Sequence, residues 1–120
     1  MITGAHAVLF SGDADALRAF LADVLGFPSV DAGNGWPVFA LPPAEVAAHP
    51  SDEAGGCALY LMCDDIEATM VRLEAKGATF ARPVHDAGWG LITAIALPGG
   101  GELGLYEPRH PIAARALGDS

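Results

Sequence analysis

The sequence predicts an α+β fold of two similar halves, and three observations predict it. Residues 6–49 and 58–106 carry the same succession of features. Each stretch holds one amphipathic helix closed by a glycine. Each also holds strands that alternate between an aliphatic face and a mixed one. A doubled unit of about fifty residues signals two halves related by a pseudo-two-fold axis. The space between them is a natural place for a ligand.

In the first copy, His6-Ala-Val-Leu-Phe10 reads as a strand and Asp13 to Leu25 as a helix ended by Gly26. A Gly35-Trp36 turn, a Leu41-Pro42 corner and the strand Glu45-Val-Ala-Ala-His49 follow. In the second copy, the strand is Ala58-Leu-Tyr-Leu-Met62 and the helix runs from Asp65 to Lys76, ended by Gly77. Gly88-Trp89, Leu97-Pro98 and Glu102-Leu-Gly-Leu-Tyr106 complete it.

The first helix has Asp13 as its N-terminal cap. Leu17, Phe20, Leu21, Val24 and Leu25 share one face at helical spacing. Burying them contributes ~1.5–3 kcal/mol each, so packing rather than propensity holds this helix. In the second helix, Asp64 is the candidate cap, with Glu67 at capping-box spacing. Ile66, Met70 and Leu73 form its apolar stripe, and Lys76 suits the dipole at its C-terminus.

Alternation sorts the strand residues. Leu59, Leu61, Leu103 and Leu105 share an aliphatic face that should carry the helix. Tyr60, Met62, Glu102, Gly104 and Tyr106 share the other. The first half repeats this more weakly, with Ala7, Leu9, Val46 and Ala48 on the helix side. That leaves His6, Val8, Phe10, Glu45, Ala47 and His49 opposite. A face of aromatic, acidic and small residues suits a cleft better than bulk solvent. Residues 50–56 read as a polar, glycine-rich connector. The tail after Tyr106 reads as frayed or packed on a partner subunit.

At 120 residues the chain is expected to be a single domain with a real core. No apolar run approaches the ~20 residues of a membrane span, and no signal peptide is evident, so the cytoplasm is the expected location. Fifteen acidic against six basic residues, a net charge of −9, argue against nucleic acid. The charge is compatible with a cationic or neutral small ligand, and equally with simple solubility. Cys57 and Cys63 are too few for a disulfide framework. On one strand they lie ~20 Å apart and cannot bridge each other.

Taken together, these features resemble the vicinal oxygen chelate superfamily: glyoxalase I, bleomycin resistance proteins and extradiol dioxygenases. The residues that carry the resemblance are His6, the helix closing on Val-Leu-Gly-Phe27, Leu59-Tyr-Leu-Met-Cys-Asp-Asp-Ile66, Gly88-Trp-Gly90, and Leu97-Pro-Gly-Gly-Gly-Glu102 with Leu-Tyr-Glu107. The pattern looks like an uncharacterised bacterial glyoxalase-like branch. The resemblance implies two βαβββ units, about 3–50 and about 57–108, forming an incomplete barrel around a cleft. It also implies helices on the outer face, a C-terminal tail over residues 109–120 and a homodimer.

Catalytic members of that superfamily hold one divalent metal from the first and last strands of each unit. Carried onto this chain, the ligand positions are His6, Ala47, Ala58 and Gly104. Only His6 is a donor, and one imidazole does not hold a labile divalent ion. A shifted site of His6, His49 and either Glu45 or Glu102 is geometrically conceivable, because these lie on the same strand faces. The expectation is no cofactor, the alternative a single divalent metal.

The expected ligand cleft comprises His6, Trp36, Tyr60, Met62, Trp89, Glu102 and Tyr106. His6 is open to three roles: ligand, general base, or polar residue satisfied in the cleft. Trp36 and Trp89 either plug the ends of their half-barrels or stack on a planar or cationic ligand. Glu45 and Glu102 either sit at hairpin edges or form an acidic floor. The leading functional expectation is a metal-free protein that binds a small organic molecule, of the drug-sequestering kind. The alternative is a metal-dependent lyase, isomerase or dioxygenase with rearranged ligands.

Overall fold

Two helices packed on one face of a four-stranded sheet organise the protein, seen here in a computed structural model. It describes residues 6–50, 52 and 55–113. The helices are Ala14–Asp23 (α1) and Ile66–Ala75 (α2). The strands are Ser29–Asp31 (β1), Pro37–Phe39 (β2), Tyr60–Met62 (β3), His85–Asp86 (β4), Gly90–Ala96 (β5) and Glu102–Pro108 (β6).

Both helices begin as their sequences require. The Asp13 carboxylate accepts the N–H of Ala16 and caps α1. In α2 the cap is Asp65 rather than Asp64, accepting from Ala68 at 3.1 Å. Asp65 wins because it is the last extended residue, so its carboxylate faces the free N–H groups of the first turn. Beyond the helix ends, Gly26 and Gly77 adopt φ of +73° and +97°, where a side chain would be strained.

The four-stranded sheet has the order β3-β6-β5-β4. β3 runs parallel to β6, and the β4–β5 and β5–β6 pairs are antiparallel. With α2 between β3 and β4, the second half is a complete βαβββ unit. Register decides the faces. Leu61 pairs with Leu105, Leu105 with Thr93, and Leu103 with Ile95. This face forms the core with Phe20 of α1 and Ile66 and Leu73 of α2. Ile66, Ile95 and Leu103 are almost wholly buried, which stabilises the fold by ~1.5–3 kcal/mol each.

The first half departs from expectation. It contains α1 and a separate two-stranded hairpin, β1–β2. Residues 6–10 and 45–49, expected as strands, form no strand. Extended backbone becomes a strand only when a neighbour satisfies its N–H and C=O groups, and among the described residues neither segment has one. The barrel is therefore not closed within the described residues of one chain. Phe10 and Val46 are 91% and 96% exposed there.

The halves touch at particular points. Gly12 donates its N–H to Gly99, the Ser11 hydroxyl donates to the Pro98 carbonyl, and the Ala113 N–H reaches the Glu45 carboxylate. The tail thus packs back at residues 109–113, while 114–120 lie outside the described residues, as do residues 3–5 and part of the connector. Among the described residues no helix is long and apolar enough to cross a membrane.

Candidate functional site

The face of the four-stranded sheet opposite the helices carries a cluster of rings, and strand register builds it. Met62 and Ile92 flank Tyr106, and Tyr60 and Ala94 flank Gly104. Tyr106 is the centre, 8% exposed although it lies on the open face. Tyr60 meets it edge-on, with centroids 5.7 Å apart and planes at 88°. Trp89, just before β5, meets it at 5.3 Å and 74°. His110 stacks against it at 6.0 Å. Edge-to-face packing aligns the positive rim of one ring with the negative face of the next.

Hydrogen bonds hold the rings in place. The Asp86 carboxylate accepts from the Gly88 N–H and from Arg109, and the Trp89 carbonyl accepts from the Arg109 N–H. The Gly88 bond and the Arg109 charge hold the Asp86 carboxyl below the usual carboxylate range. His110 Nδ1 lies 2.7 Å from the Pro111 carbonyl, which only accepts. In the neutral imidazole Nδ1 therefore carries the proton, and Nε2 accepts from the Tyr106 hydroxyl at 3.3 Å. Burial, and then the Glu45 charge, push the Tyr106 phenol up.

The expected residues divide. Tyr60, Trp89 and Tyr106 come together, with Met62 beside Tyr106. Trp36 instead lies under the Arg18 guanidinium, 4.5 Å from its ring centre, on the β1–β2 hairpin. Glu102 lies on the sheet but pairs with Arg82. Glu45 accepts the Ala113 N–H, and His6 and His49 are exposed outside any strand. His110 was not foreseen, because it follows β6 in a proline-broken segment with no periodicity to place it.

A divalent ion held in the superfamily's manner does not fit these residues. Ala47 and Ala58 present no donor. A Cβ at Gly104 would overlap Tyr60 Cδ1 and lie 2.7 Å from Cε1. Among the described residues no three His, Cys, Asp or Glu side chains converge to hold a metal.

Two shallow cavities lie elsewhere. One of about 220 Å³ lies along the hairpin, lined by Val30, Val38 and Phe39. Another of about 150 Å³ lies between α2, β3 and Phe27. The ring cluster is open to solvent in one chain, with Tyr60 and Trp89 42% and 41% exposed.

The profile of the Glyoxalase/Bleomycin resistance protein/Dioxygenase superfamily matches residues 4–108. No curated protein matches the sequence. Among solved structures, TnmS3, an antibiotic binding protein from a Streptomyces species, is 25% identical with a TM-score of 0.61. That match covers 90% of this chain and 99% of TnmS3. A superfamily member from Sphaerobacter thermophilus is 24% identical, TM-score 0.63, covering 88% and 98%. A lactoylglutathione lyase from Agrobacterium tumefaciens is 20% identical, TM-score 0.62, covering 88% and 92%.

Proposed function

As this chain belongs to the glyoxalase/bleomycin resistance/dioxygenase superfamily, we propose that it binds a flat aromatic small molecule, of the antibiotic-sequestering kind, without a metal. The observation that carries this reading is the ring cluster centred on Tyr106. Sequestration needs shape and π-surface and asks for no reacting group. Tyr60 and Trp89 are each partly exposed around a buried ring, so they offer π-surface at little entropic cost. Similarity to TnmS3 supports the same reading. The net charge of −9 and the Glu45 carboxylate favour a cationic or neutral ligand over an anionic one.

The reading includes a homodimer in the cytoplasm. Exposed Val8, Phe10 and Val46, on segments without strand partners among the described residues, suit burial against a second copy. That copy would also wall the open ring face. Sedimentation equilibrium tests this part: a dimer is expected, and a monomer at all concentrations removes it.

The binding claim is tested by fluorescence titration with proflavine, a flat cation, and anthracene-2-sulfonate, a flat anion. Saturable binding with proflavine favoured is expected. Absence of saturable binding by both refutes the reading.

A further inference from the structure

We propose that Tyr60 is the specificity-determining residue of this ring face, its ring standing in the place of a side chain at position 104. This rests on the ligand-binding reading above and adds what the site selects for. Gly104 sits in the middle of β6, where glycine weakens a strand by giving up side-chain packing. Its partner across the parallel register is Tyr60. A Cβ built on Gly104 points into the Tyr60 ring, overlapping Cδ1 and lying 2.7 and 2.9 Å from Cε1 and Cγ. The ring therefore lies across the β6 backbone, over the atom from which any residue-104 side chain would rise.

The two arrangements exclude each other. A side chain at 104 takes the space that the Tyr60 ring occupies and turns the ring out. Glycine at 104 admits the ring and covers the backbone with π-surface. From there Tyr60 meets Tyr106 edge-on, and Trp89 meets Tyr106 from its own side. The ring face thus offers stacking surface to a flat ligand where a charged residue at 104 would offer a charge. Flat, uncharged or cationic ring systems fit it. A chelating oxyanion does not.

The experiment combines Gly104→Ala, Tyr60→Ala and the double variant with two readouts. The first is the chemical shift of the Gly104 α-protons, which a ring seated above them moves upfield. In the wild type they are expected upfield, and in Tyr60→Ala near ordinary strand values. Unshifted protons in the wild type overturn the proposal. The second is proflavine affinity. Gly104→Ala and Tyr60→Ala are each expected to weaken it about tenfold, with the double variant no weaker than Tyr60→Ala. Wild-type affinity in Gly104→Ala and Tyr60→Ala overturns the proposal while leaving the binding reading intact. No saturable binding of either proflavine or anthracene-2-sulfonate by the wild type removes both together.

Discussion

The Glu107 carboxylate on β6 accepts the N–H of Ile66, the first residue of α2, at 3.0 Å. With Asp65 bonded to Ala68, two of the free N–H groups of that turn are satisfied, one locally and one by a strand distant in sequence. Both carboxylates also sit at the positive end of the helix dipole.

Because Ile66 is buried, losing its partner leaves a costly N–H. Glu107→Ala should destabilise the protein by about 1–3 kcal/mol and Asp65→Ala by about 1 kcal/mol in urea unfolding. Glu107→Gln, which keeps an acceptor, should cost less than Glu107→Ala. Equal losses for the two would mean that the Ile66 bond contributes little.

Trp89 makes the second edge-on contact to Tyr106. Trp89→Ala should lower proflavine affinity about tenfold, read by fluorescence polarisation of the dye. Trp36, lying under Arg18 on the hairpin, is the internal comparison. Trp36→Ala should leave affinity unchanged.

The raised Tyr106 pKa makes a prediction about alkaline pH. Its ordinary value is 10.0, and burial followed by Glu45 moves it up in the folded state. The stabilisation is complete below the unfolded value and is lost as pH rises through the folded one. Unfolding free energy should therefore fall as pH rises above the ordinary value of 10.0, and fall less in Tyr106→Phe. Identical alkaline slopes for the two proteins would show that Tyr106 does not contribute.

Cys63 is partly buried, and burial pushes its thiol up. Its Sγ lies 3.6 Å from the Tyr106 carbonyl, to which the thiol donates. Cys57 is exposed. At neutral pH iodoacetamide should modify Cys57 well before Cys63, as mapped by mass spectrometry, because the thiolate is the reacting form. Simultaneous modification would contradict the burial of Cys63.

Metal should add nothing to this site. Protein purified without chelator is expected to hold far less than one equivalent of zinc, nickel, manganese or iron. Cobalt(II) titration should give no imidazole coordination spectrum that His6→Ala abolishes. A stoichiometric ion sensitive to that change would point to the rearranged set of His6, His49 and a glutamate.

Much of the architecture was legible in the residues. Apolar spacing and terminal glycines located both helices, since a helix declares itself through local periodicity and caps. Alternation separated Leu103 and Leu105 from Gly104 and Tyr106, because successive strand residues point to opposite faces. The pairing of Glu102 with Arg82 and the arrival of His110 on Tyr106 had no such signal. Those contacts join segments whose meeting depends on where chain turns deliver them.

By itself the sequence determined the two helices and the faces of the second-half strands, which follow from local periodicity and residue type, and it carried a resemblance to the family that the profile match over residues 4–108 bears out. Only the tertiary structure decided which strands find partners, which rings meet Tyr106 and what stands over Gly104. Strand pairing and ring packing are settled by register between segments far apart in the chain. The register that places Tyr60 beside Gly104 is therefore visible only once β3 and β6 lie side by side.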